Sequence, residues 1–297
     1  MHIVLTGSLG HISKPLAGAL VEKKHSVTVI SSKADKKKDI EAIGAKAAIG
    51  SIDNVEFLNT TFKGADVVYL MEPPFNFFDP DLNMEAYWTG IAGNYVKAIQ
   101  QSSVKNIIHL SSIGAHTDKG VGMLSVHFNI ENMLRQLPDD VFIKFMRPVG
   151  FYYNMFSFIP TIKAQGAIFQ NYGGDKKEPW VSTEDIAATI AEEIESTFEG
   201  RTVRYIASDE VSPNEVAMIL GEAIGKPELK WVVIPDEQLL NTLLSAGFNP
   251  EAAKGYVDMN IGRRNNLYDD YNQHKPTFGK VKLIDFAREF AAVYKQQ

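Results

Sequence analysis

The 297-residue sequence contains no cysteine, which excludes disulfides and any zinc or iron–sulfur site built from thiolates. It also contains no apolar run approaching the roughly 20 residues that a membrane-spanning helix needs. The amino terminus, Met1 to Gly7, shows neither a basic leader nor a signal-peptide cleavage site. We therefore expect a cytoplasmic protein without a membrane partner.

Positive charge is scarce. Lysine and arginine number 30 against 36 acidic residues, so the formal net charge is −6. The one basic run, Lys36 to Lys38, has Asp35 and Asp39 beside it. Binding to a phosphate backbone needs clustered Lys and Arg, so we expect no nucleic-acid partner.

The patterns of metal sites and serine hydrolases are absent as well. The seven histidines show no paired ligand spacing such as H-E-x-x-H, and no Gly-x-Ser-x-Gly elbow occurs. The sequence therefore predicts neither a metal site nor a Ser–His–Asp hydrolase.

What the sequence does contain is an alternation of short apolar runs and helical patterns over its first 150 residues. The runs fall at residues 3–6, 27–30, 47–49, 65–71, 106–110 and 141–146. This alternation predicts an α/β fold, a Rossmann-type doubly wound parallel sheet with helices on both faces.

Beyond residue 150 the pattern loosens and aromatic residues become frequent. We predict a Rossmann domain over residues 1–150, with residues 180–200 packing back on it. Residues 151–179 and 201–297 are predicted to form a smaller mixed α/β domain that caps the sheet and holds substrate.

A glycine-rich turn lies between the first predicted strand and the first helix. Gly7 allows a tight turn, Gly10 allows close approach of a pyrophosphate, and the helix amino terminus attracts anions. Ser13 replaces the third glycine of the usual pattern, and we expect it to cap the helix. The alternative is a strand–helix turn without a ligand. The predicted dinucleotide contacts here are Gly7, Ser8, Leu9, Gly10, His11 and Ile12.

The end of the second strand bears on the choice of cofactor. An acidic residue there binds the ribose of NAD, whereas Ser31, Ser32 and Lys33 suit a 2′-phosphate. We therefore predict NADP(H) as cofactor, with NAD(H) less favoured. Asp35 could instead serve the ribose of NAD, or the strand end could have no ligand role.

Residues at other predicted strand ends extend the cofactor track, because ligands bind at the carboxyl edge of such sheets. Ser111 could instead only cap a turn. The additional predicted contacts are Ser51, Met71, Glu72, Pro73, Ser111 and Pro148.

Aromatic segments after the fourth and sixth strands suit a flat apolar ligand. They could equally pack as a loop against the smaller domain or belong to its core. The residues predicted to contact substrate are Phe75, Phe77, Ser112, Tyr152 and Tyr153.

The Tyr-x-x-x-Lys pair of ordinary short-chain dehydrogenases is missing near the fifth strand, where the chain reads His127-Phe128-Asn129-Ile130-Glu131. Without its phenol and ammonium, alcohol dehydrogenation and sugar epimerisation are disfavoured. His127 is the candidate proton donor or ribose contact. The alternative is a histidine bonded to Glu131 or solvent.

Together these segments resemble the NmrA-like family of atypical short-chain dehydrogenase/reductases, including its quinone and triphenylmethane-dye reductase branch. The resemblance implies a Rossmann core, a smaller carboxyl-terminal domain and NADP(H) between them. Ser13, Ser31 or Ser32, and Ser51 depart from the residues usual in the family. The matching segments are residues 6–10, 64–68, 104–112, 127–131, 147–154 and 180–187.

Three functions remain open at this point. The first is an NADPH-dependent reductase of a flat conjugated acceptor such as a quinone or dye, which needs no strong positioned acid. The second is a non-catalytic NADP(H) sensor acting through a regulatory protein partner, and the third is an epimerase-like or isomerase-like enzyme. A small-molecule acceptor and a monomer or homodimer are expected for the first.

Overall fold

A seven-stranded parallel sheet forms the centre of the computed structural model, which describes residues 1–81 and 83–296. Its strands are β1 (His2–Leu5), β2 (Ser26–Ser31), β3 (Lys46–Ile49), β4 (Val67–Leu70), β5 (Asn106–Leu110), β6 (Phe142–Pro148) and β10 (Arg201–Ile206). The smaller sheets contain β7 (Gly150–Phe151), β8 (Ala167–Gln170), β9 (Glu178–Val181), β11 (Asp209–Val211) and β12 (Lys230–Val233).

The helices follow the strands along the chain. They are α1 (Ser13–Glu22), α2 (Lys36–Ala42), α3 (Val55–Phe62), α4 (Met84–Ser102), α5 (Ser125–Leu134), α6 (Ile159–Gln165), α7 (Thr183–Glu195), α8 (Pro213–Ile224), α9 (Asp236–Ser245), α10 (Pro250–Arg264), α11 (Asp269–Gln273) and α12 (Leu283–Gln296). Two 3-10 helices cover Gly122–Leu124 and Tyr152–Phe158.

The central sheet has the strand order β10-β6-β5-β4-β1-β2-β3, and every neighbouring pair is parallel. The order reverses direction at β1, so β2 and β3 lie on one side of it and β4, β5 and β6 on the other. In such a sheet, a dinucleotide binds where the order reverses, at the carboxyl ends of the strands. The predicted doubly wound fold is confirmed.

Apolar side chains cover both faces of this sheet, as strands buried on both sides require. One cluster joins the sheet to α1 and α7, and the other joins it to α3, α4 and α5. A third cluster, separate from both, joins the 3-10 helix Tyr152–Phe158 to α6, α8 and α12. That third cluster is the core of the smaller unit.

Strand β10 belongs to the central sheet, where it pairs with β6 from Arg201 to Ile206. This differs from the prediction, which placed residues 201–206 in the smaller domain. Thr202 and Val203 are exposed on this edge strand, so it lacks the apolar run of a central strand. The other proposed domain limits stay predictions.

The two ends of α8 in the smaller unit carry residues that are typical of helix termini. Ser212 and Glu215 form a capping box at the start of α8, and Gly225 ends that helix with φ of +73°. The short strands β7, β9 and β11 were not predicted, because segments of two to four residues carry little periodicity.

Candidate functional site

The glycine-rich turn between β1 and α1 is compact and depends on Gly7. Its φ is +87°, and a Cβ placed there would lie 2.7 Å from Ser13 Oγ and 2.8 Å from Met71 Sδ. The amide of Gly10 donates to the carbonyl of Gly7 at 3.2 Å. Gly7 is therefore required by both conformation and space.

The amino terminus of α1 has no side-chain cap. The prediction that Ser13 caps this helix is wrong, because its hydroxyl donates instead to the carbonyl of Thr6 at 3.1 Å. A Cβ on Gly10 would meet only the Gly7 carbonyl within 4 Å, at 3.2 Å. The helix end is thus open beside bare glycine backbone, which fits an anionic group such as a pyrophosphate.

The end of β2 lies directly beside this turn. Ser31 is buried, and its Oγ accepts hydrogen bonds from Ser8 Oγ at 2.9 Å and from the Lys33 amide at 3.3 Å. Ser32 and Lys33 are exposed, and no ion pair of Lys33 occurs within residues 1–81 and 83–296. Ser31 therefore fixes the turn, while Ser32 and Lys33 offer a hydroxyl and an ammonium.

Met71 and Pro73, after β4, are each held by a hydrogen bond between a backbone group and a side chain. The amide of Met71 donates to Thr6 Oγ1 at 2.9 Å, and Trp88 Nε1 donates to the carbonyl of Pro73 at 2.8 Å. The first bond ties the end of β4 to the end of β1, which gives a continuous edge for a ligand.

Two further predicted contacts have structural partners of their own. Ser51 closes a local turn with Asp53, to which its Oγ donates at 2.9 Å. The carbonyl of Pro148 accepts the Ile113 amide at 2.9 Å, which joins the ends of β5 and β6. Pro148 therefore lies on the site's edge, whereas no described hydrogen bond joins Ser51 to the turn.

The Glu72 side chain points into the protein rather than along the edge. Its carboxylate is paired with Nε2 of His109 at 3.1 and 3.3 Å, and both side chains are buried. Sequence reasoning missed this pair. A histidine within the apolar run of β5 is the signal that could have indicated a buried partner.

A buried polar network lies below the end of β5, centred on the carboxylate of Glu131. Ser111 Oγ donates to Glu131 Oε1 at 2.6 Å, and Arg147 donates to the two Glu131 oxygens at 2.9 and 2.8 Å. Burial raises the pKa of Glu131, but the Arg147 and Ser111 hydrogen bonds outweigh it and lower the pKa overall. Glu131 is therefore ionised.

Arg147 continues this network toward the second half of the chain. It donates to the carbonyl of Ala115 at 3.1 Å, to the Tyr205 hydroxyl at 3.2 Å and to Asp270 at 3.3 Å. The Tyr205 hydroxyl in turn donates to Asp270 at 2.5 Å. One arginine thus links the site's edge to α11.

His127 has an unusual environment for a proton donor. Its Nδ1 is buried without a hydrogen-bond partner among the described residues, and its ring lies 5.4 Å from that of Trp88. Burial lowers the pKa of His127 to about 4, against a smaller opposing effect of Glu72. The imidazole is therefore neutral at pH 7. A hydrogen bond to Glu131, part of the alternative considered for His127, is not among its contacts with the described residues.

Helix α5 carries no tyrosine–lysine pair, in agreement with its sequence. The spacing does occur at Tyr172 with Lys176 and at Tyr271 with Lys275. Both tyrosines are buried, and Tyr271 donates its hydroxyl to Glu210 at 3.2 Å. Neither tyrosine is on α5, where the ordinary dehydrogenase pair lies.

The aromatic loop after β4 packs on protein. Phe75 contacts Phe77 and Trp88, with ring centroids 4.7 and 4.8 Å apart, and Phe77 contacts Phe248 between α9 and α10. The Asn249 amide also donates to the Phe77 carbonyl at 2.7 Å. These contacts match the alternative of a loop packed against the smaller unit.

The two tyrosines after β6 differ in their surroundings. Tyr152 is only 1% exposed and stacks on Phe286 of α12, so it belongs mainly to the core of the smaller unit. Tyr153 is 41% exposed and its ring lies 3.9 Å from that of His11. No described ring contact joins these tyrosines to Phe75 or Phe77.

A cavity of about 700 Å³ adjoins the glycine-rich turn on the side of α12. Its volume falls within the range of small-molecule sites. Its charged lining comprises Lys14 against Glu184, Asp285 and Glu289, and burial raises the pKa of Glu289, with a further rise from Glu184. The remaining lining includes Gly10, His11, Tyr152, Tyr153, Ser182 and Phe286.

Ser112, the remaining predicted substrate contact, is half-buried directly after Ser111. Its carbonyl accepts the Ala115 amide at 3.2 Å, which closes a turn after β5.

Metal sites and membrane-spanning helices are the two features that the sequence disfavours. In the described part of the chain, no group of three or more His, Asp or Glu residues could hold a metal ion. Within the same residues, no helix has the length and apolar character to span a membrane.

The fold and this edge define a doubly wound α/β protein of Rossmann type. The chain belongs to the NmrA-like family, whose model matches residues 1–292. A curated relative is the NAD(P)H azoreductase of Xenophilus azovorans, 24% identical over 252 residues that cover 84% of this chain and 82% of the relative.

Solved structures that share the fold include the following two. One is the NADPH-dependent quinone oxidoreductase QOR2 of Escherichia coli complexed with NADPH, with a TM-score of 0.80, 19% identity and coverage of 97% and 99% of the two chains. The other is the triphenylmethane reductase of Citrobacter sp. complexed with NADP(H), with a TM-score of 0.75, 20% identity and coverage of 97% and 99%.

Proposed function

We propose that this chain binds NADP(H) across the carboxyl edge of its central sheet and reduces a flat conjugated acceptor such as a quinone or dye. The observation that carries the proposal is the open amino terminus of α1 behind Gly7 and Gly10. Lys33, which makes no ion pair with the described residues, lies at the adjoining end of β2. The names of the azoreductase, quinone and dye relatives agree with it.

The cofactor's orientation follows from the strand order. Lys33 would hold the 2′-phosphate at the end of β2, the α1 turn would hold the pyrophosphate, and the ends of β4, β5 and β6 would hold the nicotinamide half. Bound NADPH supplies a hydride. The residues of the chain position the two reactants and exclude water between them.

The acceptor needs little acid catalysis from the protein. His127 is neutral at pH 7 because burial lowers its pKa to about 4, so it is no imidazolium donor. A quinone spreads the negative charge that the hydride brings, and its oxygen can then take a proton from water. A cationic triphenylmethane dye is neutralised by the hydride and needs no proton. A plain ketone concentrates that charge on one oxygen and needs a positioned donor.

We assign the acceptor to the cavity between the glycine-rich turn and α12, whose wall at Tyr152 and Tyr153 follows the end of β6 and so adjoins the proposed nicotinamide half. It adjoins Gly10 and is walled by His11 and Tyr153, whereas Phe75 and Phe77 are occupied by protein contacts. Three carboxylates against one lysine make its lining electronegative, which favours neutral or cationic acceptors over anionic ones.

The test is NADPH binding followed by turnover with a matched panel of acceptors. NADPH should bind, and oxidation should be at least about tenfold faster with menadione or a cationic triphenylmethane dye than with cyclohexanone, a difference of about 1.4 kcal/mol. A sulfonated anionic dye should be slower than the cationic one.

The outcomes separate the open alternatives. Tight NADPH binding without oxidation of any acceptor would favour the redox sensor and a protein partner. No NADPH binding at all would remove the cofactor assignment itself. Interconversion of sugar epimers by the protein would favour the epimerase-like alternative.

A further inference from the structure

The hydroxyl of Ser111 lies at the carboxyl end of β5, over which the proposed nicotinamide half would extend. A serine hydroxyl has one proton to donate and two lone pairs that accept. Ser111 donates its single proton to Glu131 Oε1 at 2.6 Å, the short distance expected for a bond to an ionised carboxylate. No described residue donates to the lone pairs of Ser111.

Glu131 is fixed as an acceptor from the other side. Arg147 donates to both of its oxygens, and Arg135 adds a bond at 3.2 Å, so the carboxylate has no proton to return to Ser111. The backbone of Ser111 is equally fixed, because its amide donates to the Met146 carbonyl at 2.8 Å. Neither group can reverse its role without breaking a bond to a charged partner.

We infer that Ser111 acts only as a hydrogen-bond acceptor toward a ligand, and that Glu131 is the positioning residue that enforces this polarity. This role rests on the proposed NADP(H) site. The group that donates to Ser111 Oγ is on the nicotinamide half and is either the carboxamide N–H or a ribose hydroxyl. Ser111 then orients the cofactor and gives no proton to the substrate.

The chemistry is consistent with reduction of an acceptor that needs no positioned acid. A serine that donated to a substrate oxygen would lower the barrier for a plain ketone. With its proton committed to Glu131, Ser111 cannot do so. Because Ser111 is 4% exposed, the bond it accepts forms almost away from water and selects for ligands that carry a donor there.

A double-mutant cycle on NADPH affinity tests the polarity. Ser111→Ala removes the acceptor and should weaken binding about 3- to 10-fold, the range for one neutral hydrogen bond. Glu131→Gln keeps the shape of the side chain, but the glutamine amide can donate a hydrogen bond to the Ser111 hydroxyl. The proton of Ser111 then points toward the ligand, where it meets another donor. Glu131→Gln should therefore weaken binding at least about fivefold, as an unsatisfied buried donor does.

The double variant separates polarity from charge. Loss of the Glu131 charge leaves the positive charge of Arg147 less neutralised. This charge effect alone would strengthen the binding of an anionic cofactor. In the Ser111→Ala background, Glu131→Gln should cause no further weakening, so the two effects should be coupled by at least about fivefold. Glu85→Gln is the matched control. Glu85 of α4 accepts a hydrogen bond from Asn129 of α5, the helix that carries Glu131, and its substitution should leave NADPH affinity unchanged.

An analogue of NADPH with an acetyl group in place of the carboxamide identifies the donor. Equal weakening of both ligands by Ser111→Ala assigns the bond to a ribose hydroxyl, whereas a loss confined to NADPH assigns it to the carboxamide. Unchanged NADPH affinity in Ser111→Ala, tighter binding in Glu131→Gln, or additive effects overturn the inference. Failure of the unmodified protein to bind NADPH would instead refute the proposed function.

Discussion

Gly7 and Gly10 stand three residues apart in one turn, yet the structure predicts opposite consequences of adding a methyl group. In Gly7→Ala, the left-handed conformation at φ of +87° costs about 1–2 kcal/mol. The two contacts below 3 Å, with Ser13 Oγ and Met71 Sδ, add about 1–3 kcal/mol of overpacking. The expected loss of unfolding free energy is about 2–5 kcal/mol.

Gly10→Ala should leave stability within about 1 kcal/mol of the unmodified protein. Gly10 is outside the left-handed region, and its new methyl would meet only one carbonyl oxygen, at 3.2 Å. The restricted unfolded chain offsets part of that contact. The same methyl lies where the pyrophosphate should approach, so NADPH affinity should fall about 5- to 100-fold for a steric cost of 1–3 kcal/mol.

Urea unfolding followed by tryptophan fluorescence measures the first quantity, in the absence of NADPH because a ligand would shift stability by mass action. Titration with NADPH measures the second. Gly10→Val should abolish binding while the fold survives. A stable Gly7→Ala, or a Gly10→Ala with unchanged NADPH affinity, would refute the reasoning.

Three further predictions concern charge. Lys33→Met should weaken NADPH about 5- to 10-fold and leave NADH affinity unchanged, because it removes an ammonium from the 2′-phosphate, with Lys63→Met as control. Glu289→Gln should lower kcat/KM for a cationic dye about 3- to 10-fold and leave a neutral quinone unaffected, with Glu228→Gln as control. The pKa of His127 is about 4 in the folded protein, against 6.5 for a free side chain. As pH falls, the unfolded state therefore binds a proton at His127 before the folded state does. The unfolding free energy should then decrease as pH falls from about 6.5 to 4. His127→Gln should flatten that decrease in urea titrations.

Each of these has a contrary outcome. Equal weakening of NADPH and NADH by Lys33→Met would place the lysine away from the 2′-phosphate. A parallel loss with dye and quinone in Glu289→Gln would indicate damage to the cavity rather than a charge effect. An unaltered pH dependence in His127→Gln would show that other groups account for it.

The sequence predicted the fold well because period and length carry that information. Each central strand except β10 is an apolar run, and the turn residues Gly7 and Gly10 mark the crossing into α1. It predicted side-chain roles less well. Ser31 and Ser13 are small hydroxyls that could face a phosphate or bond to nearby protein atoms, and only the packed structure reveals the bonds that each makes within the protein.

The buried pairs of Glu131 with Arg147 and of Glu72 with His109 were not predicted for a related reason. Glu131 lies 16 residues from Arg147, and Glu72 lies 37 from His109, so no local spacing links them. An arginine at the end of an apolar strand does predict a buried partner, since an unpaired charge there would be costly. It does not say which carboxylate provides that partner.

His127 and Glu131 have the four-residue spacing of a Tyr-x-x-x-Lys pair, but Glu131 takes part in different chemistry. A carboxylate at position 131 is buried, so it needs a cation, which Arg147 at the end of β6 supplies. With Arg147 present, a lysine at 131 would place two buried cations against each other. The polarity of Ser111 is then fixed by the same pair. The helix position, the strand end and the serine therefore form one electrostatic unit, in which a lysine placed at position 131 alone would be opposed by Arg147.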